Sequence, residues 1–401
     1  MSKEMTFIYA VCGDDEYIDT LNISLKTFAK RSNANILVVS DLSRNKKKIE
    51  HDKIINIEVD KGLNNHQASI FLKTSLHRYV DIEKGKFCYI DSDILAISDE
   101  VDSIFDEDFQ TIAFCTDNVS LDYFSPYAVN CNCVEEAKKR RDKLSEAQNE
   151  YKIMFNNWED FCKNEESRKL EKLLDNCRKK PWKYLSILIP YFVKKHIGRG
   201  DKIYLGKYFK DRKTKKWYSQ NGTLLLYPLE KFEDFVSQKT GFKFSEEDNF
   251  WTFPNDFHDV TVPRCTHLHQ AIKKDFGYEI EKANWQHANG GMFLFDKNSI
   301  EFLESWHSKT LEIFNNEFWK TRDQGTLAAC FREFKIDEKY FLNKIYNFIL
   351  DTYKSKILYD TKEGFSIDNG INYHNPLMIH VFYRFGDKTW DIWNIIENEF
   401  L

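Results

Sequence analysis

No stretch of this chain is long and apolar enough to cross a bilayer. The longest uncharged apolar stretch, Tyr184 to Val193, is broken by Pro190 and falls well short of the roughly 20 residues a spanning helix needs. No amino-terminal signal sequence is visible, because Met1-Ser2-Lys3-Glu4 leads straight into a strand pattern. Regular cysteine spacing is missing too: there are nine cysteines, an odd number, which speaks against a disulfide framework. These absences predict free thiols in a reducing cytoplasm, in a protein that is soluble or peripheral at the inner face of a membrane. Cys131-x-Cys133 has the form of half a zinc site, but no second pair lies at a suitable distance along the chain, so zinc is not expected.

What is present is a globular composition, 42% hydrophobic and 30% charged. Aromatics are frequent, with 33 Phe, 20 Tyr and 9 Trp; they suit sugar-stacking surfaces and large cores alike. A strand over Thr6 to Val11 precedes a helix from about Tyr17 to Lys30, with Ile18, Leu21, Leu25 and Phe28 at helical spacing. Strands at Asn35–Val39, Ile54–Val59, Phe87–Ile90 and Thr111–Cys115 follow, with a helix near Gln67–Tyr79. The alternation predicts an α/β fold with a parallel, helix-covered sheet. Ligands in such sheets gather at the carboxyl ends of the strands.

Composition changes after Asn118. Leu144, Ala147, Tyr151, Met154, Trp158 and Phe161 step by three and four, predicting helix over 135–180. Lys202 to Tyr227 reads as a β-hairpin with a basic turn at Lys210-Asp211-Arg212-Lys213. The α/β rhythm resumes near Asp259, so residues 119–258 are taken as an insertion into one domain made of 1–118 and 259–401. Residues 178–216 hold 14 Lys and Arg against two acids, a net +12, whereas the chain as a whole carries −5. Beside Trp182-Lys183-Tyr184-Leu185, that charge suits an anionic membrane surface or an acidic glycan, or is simply a solvated face; nucleic acid is not expected.

The most informative stretch is Asp91-Ser92-Asp93. It ends the apolar run Phe87-Cys88-Tyr89-Ile90 and precedes a second, Ile94-Leu95-Ala96-Ile97. Alternation along extended backbone would aim both carboxylates to one side, a hard-oxygen pair suited to Mn²⁺ or Mg²⁺ held with a diphosphate. A second such triplet, Asp106-Glu107-Asp108, follows Ser103-Ile104-Phe105 and reads as a solvated turn. Lys73, on the preceding helix, can reach a phosphate as a point charge. Asn289-Gly290-Gly291 precedes an apolar strand, where glycines let backbone approach a ligand. Asp323-Gln324 opens a helix over Thr326–Phe331. Ile379-His380 ends a short strand and is followed by Gly386-Asp387-Lys388, whose lysine can neutralise a diphosphate; the imidazole can complete a metal site begun by Asp91 and Asp93.

In this order the segments resemble glycosyltransferase family 8, retaining enzymes of the GT-A fold that include glycogenin and bacterial galactosyltransferases. The resemblance covers 1–118 and 259–401. It implies a GT-A, Rossmann-like mixed sheet flanked by helices, with 119–258 as a large helical and β-hairpin insertion. It implies Mn²⁺ on Asp91, Asp93 and His380, and a UDP-sugar donor bordered by Ala10, Val11 and Tyr17 at the uracil and Ser92 at the ribose. Lys73 would meet the donor phosphate or sugar, and Asn289 and Gly291 would line the sugar pocket. Asp323 and Gln324 match the family's pair beside the reacting carbon, and Gly386 and Lys388 match its closing Gly and Lys. Two departures stand out. The spacing from His380 to Lys388 is two residues longer than in the family, and Lys320 stands where glycogenin has an acid, so self-glucosylation is not implied.

The expected activity is therefore hexosyl transfer from a UDP-sugar to a glycan or lipid-linked acceptor. A sugar-1-phosphate nucleotidyltransferase is the rival enzyme reading, but it needs a Gly-rich basic loop after the first strand, and Cys12-Gly13-Asp14-Asp15-Glu16 is acidic. A non-catalytic glycan- or membrane-binding protein on a transferase scaffold is the rival of another class.

Overall fold

The computed structural model describes residues 4–226, 231–281, 286–320, 322–336, 340–352 and 356–401, leaving aside the side chains of 161, 162 and 286. In chain order the first elements are β1 (Glu4–Ala10), α1 (Asp15–Arg31), β2 (Asn35–Ser40), β3 (Ile54–Asn56), α2 (Asn65–Thr74), β4 (Gly85–Ile90), β5 (Ile94–Ala96), β6 (Ala113–Ser120) and α3 (Leu121–Ala128). There follow α4 (Cys133–Lys163), α5 (Glu165–Lys179), α6 (Leu185–His196), β7 (Lys202–Leu205), β8 (Tyr208–Asp211), β9 (Trp217–Ser219), β10 (Leu224–Leu226), α7 (Phe232–Thr240), β11 (Lys243–Ser245) and β12 (Phe250–Thr252). The remainder comprises α8 (His267–Phe276), β13 (Gln286–Phe295), α9 (Ile300–Glu312), α10 (Arg322–Glu333), β14 (Phe348–Ile349), β15 (Leu358–Asp360), β16 (Gly364–Ser366), β17 (Met378–His380) and α11 (Asp391–Glu399).

Two compact units result, Met1–Val134 with Arg264–Leu401, and Glu135–Pro263. These limits differ from the expected 118/119 and 258/259 because β6 runs on to Ser120 and α3 belongs to the first unit. There Leu121, Ala128 and Val129 share a core with Leu268, Ala271 and Ile272 of α8.

The first unit is built on a six-stranded sheet in the order β3-β2-β1-β4-β13-β6. Strands β3, β2, β1 and β4 are parallel. The sheet is not wholly parallel as the alternation suggested, because β13 arrives from the far side of the insertion and pairs antiparallel with both β4 and β6. Period-two alternation divides the core. Phe7, Tyr9, Cys88, Ile90, Met292 and Leu294 face α1 and its Ile18, Leu21, Leu25 and Phe28. Ile8, Phe87, Tyr89, Phe293 and Phe295 face the opposite way, onto Leu72, Phe302, Trp306 and Phe331. On that face the paired strands stack Phe87 on Phe295 at 5.3 Å and Tyr89 on Phe293 at 4.8 Å. The ladder of rings ends at Tyr89, two residues before Asp91.

A second, three-stranded sheet runs β14-β17-β5. It begins where the large sheet stops: β4 ends at Ile90 and β5 starts at Ile94. Asp91-Ser92-Asp93 is thus a turn between two sheets, closed by the Ile94 N–H donating to the Asp91 carbonyl at 3.2 Å. The extended alternation expected for the triplet does not hold; the turn, not the pleat, sets the two carboxylates.

In the second unit the helical expectation for 135–180 divides into α4 and α5, with Asn164 capping α5 through its side chain. Leu144, Ala147, Tyr151 and Met154 pack with Phe235, Val236, Phe242 and Trp251, while Trp158 joins the cluster of Leu170, Tyr208 and Trp217. The predicted hairpin is a four-stranded antiparallel sheet, order β10-β9-β8-β7; Tyr227 lies outside the described residues.

Candidate metal and nucleotide-sugar site

Strand pairing brings distant motifs to one place. In β13 the register sets Met292 opposite Ile90, and the Asp91 N–H continues it by donating to the Gly291 carbonyl at 2.7 Å. In the small sheet His380 pairs with Ile94, which lands the imidazole beside Asp93. His380 Nε2 lies 3.2 Å from Asp93 Oδ1. A Cβ built on Gly291 would meet Asn289 Oδ1 at 2.8 Å, His380 Cε1 at 2.9 Å and Asp91 Oδ2 at 3.1 Å. Gly291 is therefore a packing requirement at the centre of the site. The register with β6 slips between Asn289 and Phe293, and the bulge this makes holds both glycines.

A chain of amides fixes the histidine. Asn289 Nδ2 donates to the Asp117 carboxylate at 2.9 Å. Its Oδ1 then accepts from the Gly291 N–H and from Asn347 Nδ2, each at 2.9 Å. Asn347 is thereby oriented with Oδ1 toward His380 Nδ1, 3.1 Å away. Since that oxygen only accepts, Nδ1 carries a proton, and Nε2 is left to face Asp93. Asp93 Oδ1 and His380 Nε2 are both buried and neither is satisfied by a hydrogen bond. Two lone-pair atoms this close require a positive charge between them, a proton or a cation. Burial opposes charge on His380, but the Asp93 and Asp91 carboxylates outweigh it and raise its pKa.

Lys73 occupies the other side. Its ammonium lies 3.5 Å from Asp91 Oδ1 and 3.1 Å from Asp323 Oδ2, and 5.1 Å from the centre of the Tyr89 ring. Its side chain is only 9% exposed. Burial depresses its pKa, yet the two carboxylates raise it beyond the ordinary value, so the cation persists. Tyr89 donates its hydroxyl to Asp91 Oδ1. Burial, with Asp93 adding to it, keeps the Asp91 carboxyl above its usual range despite Lys73. At Asp323 burial also pushes upward, but Lys73 and the Gln324 backbone N–H win and the carboxyl lies low.

Helix α10 starts at Arg322 rather than Thr326, which places Asp323 and Gln324 in its first turn. Gln324 is heavily engaged. Its Oε1 accepts from the Gly290 N–H at 3.0 Å, and its Nε2 donates to the Ala288 carbonyl and to His287 Nε2, the latter at 2.8 Å. His287 stacks on Phe124 at 4.2 Å, and burial lowers its pKa to about 4, so it is a neutral acceptor. Gln324 braces the glycine bulge and keeps one lone pair on Oε1 for a ligand.

The fold thus assembles Lys73, Asp91, Asp93, Asn289, Gly291, Asp323, Gln324 and His380. Ala10 ends β1 and Val11 follows it, just past the Ile8–Tyr89 pair with the adjoining β4, and Val11 is buried. Tyr17 is exposed on α1, and Ser92 sits in the acidic turn. The closing motif is different: Lys388 is bonded to the Glu397 carboxylate of α11, and Gly386 takes a positive φ of 77° in an open turn. The longer spacing after His380 leaves that lysine paired with α11. Tyr89, Asp117, His287 and Asn347 take part without having been singled out in the sequence. Thr116-Asp117 is visible as a strand end, but nothing local marks Asn347.

A second group can hold a metal ion. The ligand atoms of Cys131, Cys133, Cys265 and His267 all lie within 4.8 Å of one another, the only such set of His, Cys, Asp and Glu among the described residues. The expectation that Cys131-x-Cys133 lacks a partner pair is overturned, because the fold returns the chain to it after the whole insertion. Asp91, Asp93 and His380 are spread more widely, with Asp91 drawn to Lys73 and Tyr89. No helix among the described residues is long and apolar enough to cross a membrane. No protein-family model matches the chain, and no curated protein matches it in sequence.

Proposed function

We propose that the protein is a metal-dependent retaining glycosyltransferase of the GT-A type, related to glycosyltransferase family 8, that moves a hexose from a UDP-sugar to a glycan or lipid-linked acceptor. The observation that carries this reading is the buried, unsatisfied pair Asp93 Oδ1 and His380 Nε2, with Asp91 alongside. Asp91, Asp93 and His380 would hold Mn²⁺ or Mg²⁺, an oxygen-rich set with one imidazole. Such an ion, when bound, stabilises the charge of a departing diphosphate.

The remaining roles follow from what each side chain can do. Lys73 brings a permanent cation, already balanced by Asp91 and Asp323, to where the donor phosphate or sugar would lie. Asn289 and Gly291 present an amide and a close-lying backbone to sugar hydroxyls. Asp323 and the free lone pair of Gln324 flank the reacting carbon, where positive charge develops on the sugar. Ala10, Val11 and Tyr17 border the uracil, and Ser92 the ribose. Lys388 is left out of this reading because Glu397 holds it.

Screening a panel of nucleotide-sugars for Mn²⁺-dependent release of UDP tests the proposal. Turnover with at least one UDP-sugar, abolished by chelator, is expected. Pyrophosphate-dependent formation of a nucleoside triphosphate would favour a nucleotidyltransferase, and binding of glycan with no donor turnover a non-catalytic scaffold; either overturns the reading.

We further propose that α6, in the basic part of the second unit, meets a membrane surface. Ile187, Leu188 and Tyr191 turn inward to the cluster of Leu205 and Trp217. Leu185, Ile189, Phe192 and Val193 form a second apolar face that is exposed, as are Trp182 and Ile197 nearby. A helix apolar on both faces is normally buried; with Lys183, Lys194, Lys195 and Arg199 around it, the exposed face suits an anionic lipid surface. Vesicles containing phosphatidylglycerol should co-sediment the protein at low salt. Ile189→Asp with Phe192→Asp should remove most binding. Equal recovery with purely zwitterionic vesicles would contradict the electrostatic part, and no recovery on either would contradict the whole.

A further inference from the structure

We propose that Cys131, Cys133, Cys265 and His267 form a structural zinc site, separate from the Asp91–Asp93–His380 group. Its first support is metric. A tetrahedral ion with Zn–S of 2.3 Å and Zn–N of 2.0–2.1 Å places two sulfurs about 3.8 Å apart and a sulfur and a nitrogen about 3.5 Å apart. Cys131 Sγ and Cys265 Sγ are 3.9 Å apart, and Cys133 Sγ and His267 Nδ1 are 3.5 Å apart. All remaining ligand pairs fall within 4.8 Å. The sulfur pair is far from the roughly 2.05 Å of a disulfide bond.

The second support is chemical. Three thiolates and an imidazole are a soft set that selects zinc over the hard cations suited to the carboxylate site. With four protein ligands no coordination position stays open, which is the mark of a structural rather than a catalytic ion. Without an ion, burial and the neighbouring thiols hold Cys133 and Cys265 above the ordinary thiol range, so the cation itself must draw off the protons; local dipoles help. Cys133 is the first residue of α4 and His267 the first of α8, and helix amino termini stabilise negative charge. The His267 backbone N–H is directed at the Cys265 sulfur, and the Ser125 hydroxyl oxygen is 3.2 Å from it.

The third support is topological. Both ligand pairs have one intervening residue. One lies just before residues 135–263 and the other just after them, each separated from them by a single residue. The ion would tie together the two points at which the chain leaves and re-enters the first unit, a closure that local packing alone must otherwise maintain. Binding expels the three thiol protons and adds no other reactant.

The test is metal analysis of the full-length protein purified under reducing conditions without added zinc. About one zinc per chain is expected, released by a thiol-blocking mercurial and retained by Asp93→Asn. Cys131→Ser and Cys265→Ser should each lose it. Should these variants fail to fold, the wild-type protein decides: after zinc removal, Co²⁺ should bind with the intense visible bands of a tetrahedral ion and thiolate-to-metal charge transfer. Absence of both zinc and thiolate–cobalt bands would overturn the proposal. So would wild-type zinc content in Cys265→Ser, or an intact mass showing a Cys131–Cys265 disulfide in the reduced preparation.

Discussion

Asp93→Asn should lower metal-dependent UDP-sugar turnover by about 10²–10³-fold, a loss on the scale of removing a principal source of transition-state charge stabilisation. The fold should not suffer. Asparagine fills the same volume, and its amide can donate to a neutral His380 Nε2 in place of the ion pair that a protonated imidazole makes with Asp93. Above the raised pKa of His380, where the imidazole is neutral and the wild-type carboxylate has lost its partner, the melting temperature of the variant without metal should match or exceed that of the wild type. Below that pKa it should fall short, and Mn²⁺ should no longer raise it. A variant that melted far lower above that pKa would show Asp93 to be a stability residue, and one that kept full metal-dependent turnover would remove Asp93 from the site.

Lys73→Met should act through stability as well as activity. The ammonium is the one cation that contacts both Asp91 and Asp323 among the described ion pairs, and its removal leaves two carboxylates in a buried setting. Breaking a buried ion pair from one side costs about 3–5 kcal/mol. Adding Asp323→Asn should restore part of that loss, because the second substitution removes one of the orphaned charges. Denaturant unfolding of the single and double variants measures this directly. A single-variant cost below about 1 kcal/mol, the range of exposed pairs, would mean that water reaches the triad freely and that Lys73 is no preorganised phosphate partner.

Much of the site could be read along the chain because its motifs are local. Asp91-x-Asp93 follows a strand and Asp323-Gln324 opens a helix; Gly290-Gly291, expected just before a strand, lies inside β13 at its bulge. The apolar periodicities of α1 and of α4 likewise announce the faces that pack. What could not be read depends on pairing between distant segments. His380 reaches Asp93 only because β17 runs antiparallel to β5, and Asn347 reaches His380 only because β14 lies beside β17. The turn at Asp91–Asp93 differs from the extended strand that the sequence suggests because the switch from one sheet to another leaves no mark in the apolar runs on either side. Cys265-x-His267 is not legible as a partner of Cys131-x-Cys133 for a related reason: an inserted unit separates the two halves of the site along the chain without moving them apart in space. Lys388 shows the reverse, since its two-residue offset was visible and its side chain is bonded to Glu397.

The central claim, that Asp91, Asp93 and His380 hold a divalent ion for a uridine diphosphate, is tested most directly by calorimetric titration of UDP into the protein with Mn²⁺ and again with chelator. Binding that needs Mn²⁺, and that Asp93→Asn and His380→Ala each weaken by ten-fold or more, is the predicted result. UDP binding of equal strength with Mn²⁺ and with chelator, or unchanged in both variants, would contradict it.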